Sequence, residues 1–441
     1  MSSGAFDKVV NALNKVAEKI NSLKYIIAIK NTFATLLPVI ITGAFATLLS
    51  SVVFDAENGL AQISALSFLK NLKPITSTIN YFTLNFLTVY VVFLLGIEVA
   101  NLNNIKGVFP GIVAVMSYLT VNPTFFEQFQ DDGSSIVVSD VLARQYTDPK
   151  GLFLGMIVAV LAIELYSWLS KRKKLQIKLP DSVPPKVANS FTSLIPTIFT
   201  VTIVATIGFS VKAFTGLYAF DIIYSVVQKP LEGLIQGLPG VLILMLVAQV
   251  FWVIGIHGMQ MVKPIREPLL LSAIAVNSAA FEAGEAVPNI INMPFWDIYM
   301  TFGGSGATLG LLIAIFLVGK RQDYRQIAKL SFIPGIFNIN EPLIYGLPIM
   351  LNPILAIPFI LTPLVTGTIG YIATLIGFAG KAVVMVPWPV PAILNSFIAT
   401  AGSIGAVITQ IICIVVSVLI YIPFVKIADR SYRAQNQTEA E

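Results

Sequence analysis

The stretch at about residues 27–54, IAIKNTFATLLPVIITGAFATLLSSVVF, holds a single charge in more than the length a bilayer requires. One crossing takes about 20 largely apolar residues. Comparable runs recur near 82–100, 105–121, 151–170, 190–215, 239–258, 305–319, 353–379 and 401–425. Hydrophobic residues make up 56% of the 441 positions and charged ones 12%, against about 25% charged in an ordinary soluble domain. That much apolar surface cannot be hidden inside a water-soluble core, so a soluble enzyme is excluded. The pattern implies an all-α polytopic membrane protein.

Charge placement supplies topology. The net charge is +5, but the basic residues stand in short groups beside apolar runs, which marks the cytoplasmic side and not a nucleic-acid surface. Lys171 to Lys174 form the run KRKK directly after one crossing, KRQDYR follows another, and KIADRSYR follows the last. These groups are expected to share the cytoplasmic side with both termini. Residues 5–24 place Phe6, Val9, Leu13, Val16 and Ile20 on one helical face opposite Asp7, Lys8, Lys15 and Glu18, the signature of an amphipathic helix lying on a membrane surface. The N-terminus lacks the pattern of a secretory signal peptide. The segment NPTFFEQFQDDGSSIVVSDVLARQYTDPK reads as an external loop with local structure.

From residue 259 the apolar runs shorten and are broken by Pro, Gly, Asn and Glu. Broken backbone cannot face lipid, because its unpaired N–H and C=O groups have no partner there. It lines a polar cavity or is covered by protein, as in the half-helices of transporters. The transport site is therefore expected in the C-terminal half. The division reads as an interface helix at 1–25, a scaffold and dimerisation domain at 26–215, a transport domain at 216–425 and a tail at 426–441.

Within that half, His257 is the only histidine, in FWVIGIHGMQ. A polar group at such depth marks function; a structural histidine at a helix end is the alternative. Glu341 stands in NINEPLIYG with Asn338 and Asn340 just before it and Pro342 just after. The proline fixes the backbone, and a carboxylate there can accept a hydroxyl proton or simply cap the next helix. Trp252 and Trp388 offer rings to the C–H faces of a sugar, or anchor an interface. Asn289 and Asn292 in PNIINMP look like free amides in broken helix. Lys263, Arg266 and Glu267 form either a loop or an internal ion pair. FGGSGATLG lacks the lysine of a phosphate-binding loop and reads as a flexible or tightly packed start to a helix. One histidine with no cysteine or carboxylate cluster does not make a metal site, and no cofactor is expected. Cys413, the one cysteine, lies in IICIVV, where packing is its expected role.

GIHG around His257, PFWDIYMTFGGSG from Pro294 and NINEPLIYGLPIMLNP around Glu341 together resemble a known family. It is the membrane component EIIC of the bacterial phosphoenolpyruvate:sugar phosphotransferase system, in its lactose/cellobiose/diacetylchitobiose branch. The resemblance covers essentially the whole chain. It implies an inner-membrane homodimer with about ten transmembrane helices, re-entrant hairpins and amphipathic interface helices. It assigns Glu341 and His257 to the sugar hydroxyl that becomes phosphorylated, Trp252 and Trp388 to the sugar rings, and Asn289, Asn338 and Asn340 to the binding site. The phosphoryl donor would be a separate EIIB protein carrying phosphocysteine, with EIIA acting indirectly. The short polar stretch after the last crossing holds no second cysteine, which tilts the expected substrate toward a β-linked disaccharide, cellobiose first, with diacetylchitobiose and lactose as alternatives. An ion-coupled secondary sugar transporter shares the broken helices and is the rival class. A receptor without transport would not need them.

Overall fold

The computed structural model describes residues 22–56, 59–129, 135–177, 179–180, 183–347, 349 and 352–438. Most of the expected N-terminal amphipathic helix, residues 1–21, lies outside them. Among the described residues six helices are long and apolar enough to cross a bilayer: Lys24–Leu48, Ser64–Leu102, Pro149–Ser170, Ser190–Thr215, Ile354–Leu375 and Ile404–Tyr432. A bent pair, Ala219–Ile235 and Leu238–Val253, meets at 74° and makes a seventh if counted as one span. Phe109–Thr120 and Ser305–Val318 are apolar but shorter. The protein is thus a multi-pass helical membrane protein.

The chain falls into two compact units, and each contains two separate stretches of the described sequence. One holds residues 22–40 and 81–232. Here Leu87–Leu102, Phe109–Thr120 and Leu152–Ser170 pack on one another, and Pro185–Thr215 covers the last two. Val91, Val92, Leu95, Ala114 and Ala159 fill the interior. Polar clips at the margins fix the register. Lys24 pairs with Glu164 and donates to Asn103 Oδ1 at 2.6 Å; Asn31 donates to Glu98 at 3.0 Å. The polar excursion after residue 121 contains the one sheet among the described residues. Phe125–Phe129 and Ser135–Ser139 pair antiparallel, Phe125 opposite Ser139. The segment that follows is tied down by Thr88, whose hydroxyl donates to the Asp148 carbonyl at 2.6 Å.

The other unit holds residues 41–80 and 233–441. Its residues 64–80 belong to the polar segment that the sequence places between the first two crossings, to about residue 80, and they are helical throughout. Ile63, Phe68, Leu72, Ile75 and Ile79 are exposed, while Thr76 and Asn80 are buried. Apolar outside and polar inside is the arrangement of a helix turned toward lipid. Farther along, Leu309–Val318 packs on Ile404–Thr438, which packs on Pro353–Leu375. Their shared core includes Leu311, Leu343, Phe359 and Tyr421, together with Trp252. Threonines sit in these helices because their hydroxyls bond back one turn. Thr362 donates to the Pro358 carbonyl and Thr366 to the Thr362 carbonyl. At one end of this unit Asp429 accepts the backbone N–H of Lys320 at 2.7 Å and of Arg321 at 3.2 Å. The basic turn KRQDYR and the basic tail therefore meet.

Candidate functional site

The helix Leu238–Val253 ends one turn before His257. The Ile256 N–H bonds to the Phe251 carbonyl and the Gly255 N–H to the Trp252 carbonyl. This is a Schellman ending, which requires a left-handed residue at the position of Gly255; its φ is +92°. His257 then becomes the N-cap of the next helix, Gly258–Glu282. Its imidazole lies against the buried indole of Trp252, with ring centroids 4.3 Å apart.

Glu341 reaches the same place from the other direction. The helix Gln322–Ile336 ends at Asn338, whose φ is +64°. The Ile339 N–H bonds to the Pro334 carbonyl and the Asn338 N–H to the Gly335 carbonyl, the same ending with asparagine in the glycine's role. Two residues later Glu341 starts the short helix Glu341–Gly346 with Pro342 in its first turn. Its carboxylate Oε1 is 4.0 Å from His257 Nε2. Both side chains are partly open, 38% and 48% exposed.

The two asparagines of NINE are engaged with backbone. Asn338 accepts the Gly303 N–H at 2.7 Å and donates to the carbonyls of Trp388 at 2.6 Å and Val390 at 3.1 Å. Asn340 donates to the Ser305 carbonyl and to Thr308 Oγ1, both at 2.8 Å. These contacts explain GGSG. A side chain at Gly304 would place its Cβ 2.3 Å from the Asn340 side-chain carbon, so only glycine lets the amide dock. Tyr421 and Ser417 clip the loop from the long helix, donating to the carbonyls of Gly306 and Ala307. The glycine loop is tightly packed.

A second irregular pair of segments, around 289 and 382, is held in the same way. Asn277 accepts the Asn289 N–H at 2.9 Å and donates to the carbonyls of Asn289 and Ala382. Ser278 donates to the Val383 carbonyl. Asn292 donates to the Ala382 carbonyl at 3.2 Å and caps the helix Met293–Tyr299 through the Phe295 N–H. Asn289 donates to the Ala273 carbonyl at 3.3 Å. The amides of Asn289 and Asn292, which the sequence suggested were free, are occupied. The physical reason is the one that predicted broken helices here: backbone groups outside regular helix need partners wherever water is excluded.

His257, Glu341 and Trp252 are brought together. Trp388 is 51% exposed and is linked to the Glu341 segment through Asn338. Trp252 is 2% exposed and belongs to the core, which excludes an interface-anchor role for it. Lys263, Arg266 and Glu267 form an internal ion pair. Glu267 stands 3.4 Å from Lys263 Nζ and 3.7 Å from Arg266. Asn277 and Gln410 are the positions that sequence reasoning passed over. Gln410 donates to the Ile298 carbonyl and accepts the Ile393 N–H. Both sit inside apolar helical runs, where one buried amide is the only available signal.

A histidine and a carboxylate stand 4.0 Å apart at the edge of a helix-broken unit, inside a multi-pass membrane protein. Comparison with known proteins agrees with that description. The family model "Phosphotransferase system, EIIC" matches residues 30–363. The oligo-beta-mannoside-specific EIIC component of Bacillus subtilis (strain 168) is 33% identical over 99% of this chain and 96% of its own length. The cellobiose-specific EIIC component of Geobacillus stearothermophilus is 32% identical over 98% and 95%. The crystal structure of ChbC, the IIC component of the N,N'-diacetylchitobiose-specific phosphotransferase system, superposes with a TM-score of 0.89 at 31% identity, covering 96% of this chain and 98% of that one. With its helical membrane architecture, its whole-length relatives and this structural match, the chain belongs to the EIIC family, the membrane-embedded transport components of the sugar phosphotransferase system.

Proposed function

We propose that this EIIC imports a β-linked disaccharide, cellobiose first, and presents its C6 hydroxyl to a separate phosphorylated EIIB. The carrying observation is the 4.0 Å approach of His257 Nε2 to Glu341 Oε1. That separation is too long for a direct hydrogen bond and suits a hydroxyl that bridges the two. Glu341 takes the hydroxyl proton as the sugar oxygen attacks phosphorus. An O–P bond forms, the P–S bond to the EIIB cysteine breaks, and the electron pair leaves on the thiolate. His257 orients the hydroxyl. Trp252 backs His257, and the exposed ring of Trp388 stacks on a sugar face. Asn338 and Asn340 serve the site by fixing the segments that carry Glu341 and Trp388, and Asn289 serves it by holding its own irregular segment to the helix Gly258–Glu282. The choice of β-linked sugar is supported by the names of the relatives, for oligo-β-mannoside and cellobiose, and by that of the chitobiose structure. Diacetylchitobiose and lactose follow cellobiose in the order of testing. The protein works in the bacterial inner membrane as a homodimer joined through its N-terminal half, with EIIA acting on it only through EIIB and with both termini in the cytoplasm.

The test uses sealed vesicles with labelled cellobiose on the outer-equivalent side. EI, HPr, EIIA, EIIB and phosphoenolpyruvate are supplied on the other side. Accumulated label is expected as cellobiose phosphate, dependent on EIIB. Free cellobiose accumulating with an ion gradient and without the relay would overturn the reading.

A further inference from the structure

We propose that Tyr345 is a further sugar-binding residue: its exposed ring stacks on the pyranose whose C6 hydroxyl lies at His257 and Glu341, and its phenol hydroxyl bonds the same sugar. The inference rests on the proposed placing of that C6 hydroxyl. Tyr345 follows Glu341 by four positions in the short helix Glu341–Gly346. Side chains four apart share a helix face, with Cβ atoms about 5–6 Å apart. One face of this helix enters the core and the other stays open. Leu343 and Ile344 are buried, whereas Glu341, Pro342 and Tyr345 are exposed. The carboxylate and the phenol therefore stand side by side on the open face.

Trp252 is the second, independent observation. A sugar ring held beside a polar pair gains from an aromatic surface for its C–H groups. Trp252 cannot offer that surface, because it is 2% exposed. It holds two neighbours instead. His257 lies against it with ring centroids 4.3 Å apart, and Tyr345 meets it edge-on with centroids 6.4 Å apart at 62°. One indole from the core thus sets the positions of His257 and Tyr345 alike. Of the two large rings beside His257, Tyr345 is the accessible one, at 61% exposed. The C6 oxygen is two bonds from the pyranose ring, so a sugar held by that oxygen between His257 and Glu341 keeps its ring within reach of their neighbour. Tyrosine presents an apolar face and a hydroxyl that both donates and accepts. Among the described residues that hydroxyl makes no hydrogen bond. Trp388, tied to the Glu341 segment through Asn338, is then left for the second ring of a disaccharide.

The experiment compares wild type, Tyr345→Ala, Tyr345→Leu, Tyr345→Phe and Glu341→Gln. Calorimetry in detergent measures cellobiose, diacetylchitobiose and lactose, and vesicles measure transfer from phospho-EIIB to whichever of them binds best. Tyr345→Ala is expected to weaken binding of that sugar by about tenfold or more. Its KM is expected to rise with a smaller change in kcat, the mark of lost sugar binding. Tyr345→Phe keeps the ring and is expected to lose only about threefold to fivefold. Tyr345→Leu keeps apolar bulk without a planar face, and it carries the comparison if Tyr345→Ala does not fold. Thermal unfolding without sugar is expected to be close to wild type for all three, since the side chain is largely exposed. Unchanged affinity in Tyr345→Ala and Tyr345→Leu, with transfer lost in Glu341→Gln, would overturn the contact and leave the placing of the hydroxyl intact. So would a fall in unfolding temperature and kcat without a change in affinity, which is the behaviour of a structural tyrosine. Lost affinity in the Tyr345 variants with transfer near wild type in Glu341→Gln would support the contact and overturn the role of Glu341. Failure of wild type to bind any of the three sugars would overturn both.

Discussion

His257 and Glu341 stand 4.0 Å apart, both partly open, and in the proposed mechanism the sugar hydroxyl occupies that gap. Glu341→Gln keeps shape and hydrogen-bonding capacity but removes the base. Transfer from phospho-EIIB is expected to fall by about 100-fold or more, with cellobiose affinity changing only a few-fold. A transfer rate near wild type would return Glu341 to a helix cap. His257→Ala removes a hydrogen bond to the sugar, so affinity is expected to weaken by roughly tenfold, about 1.4 kcal/mol. Calorimetry in detergent reads both variants. These two residues were legible in the sequence because they are rare in their surroundings: a lone histidine and a carboxylate before proline, each at a break in an apolar run. The amides of Asn277 and Gln410 were not legible. A buried amide that clips backbone looks the same in sequence as one that faces a cavity, and only the positions of segments far along the chain distinguish them.

At the scale of elements, the irregular segments are ordered by side-chain amides standing in for helical partners. Asn338 does two jobs, taking the left-handed turn and making three hydrogen bonds to two separate segments. The jobs can be separated. Asn338→Gly keeps the turn and loses the clip; Asn338→Ala loses the clip and also strains the backbone by about 1–2 kcal/mol. Leaving buried N–H and C=O groups unpaired is expected to lower stability by about 2–4 kcal/mol in either variant, with alanine the worse. Thermal unfolding in detergent gives the order. Equal stability of the two variants would show that the turn is not under constraint. Crossings were legible because long apolar runs have few other fates. The helical stretch at 64–80 was not, because its polar residues point inward and its apolar ones outward, so a reading that expects apolar residues in the core finds a connection there. The β-hairpin at 125–139 escaped for a related reason. Its strands are five residues each, too short for alternation to stand out beside neighbouring turn residues.

For the whole molecule the open variable is which side each loop faces, and the unit built from residues 81–232 offers a clean test. The helix Leu152–Ser170 has 19 residues, about 28 Å at 1.5 Å each, close to the hydrocarbon thickness of about 30 Å. The paired strands and the segment after them lead into one end of this helix, and KRKK leaves the other, so a spanning helix would put the two on opposite faces of the membrane. Positive charge leads us to expect the KRKK end on the cytoplasmic side; there Arg172 packs over the Trp168 ring at 4.6 Å. The only cysteine, Cys413, is fully buried, so an introduced thiol gives signal over little background. Lys173→Cys and Val137→Cys each replace an exposed residue. A membrane-impermeant maleimide is expected to label Val137→Cys in intact cells with the outer membrane opened, and Lys173→Cys only in inverted vesicles. The reverse pattern would invert the topology and move the phosphoryl donor's docking face to the other end of every helix. Labelling of both from one side would mean that Leu152–Ser170 does not span.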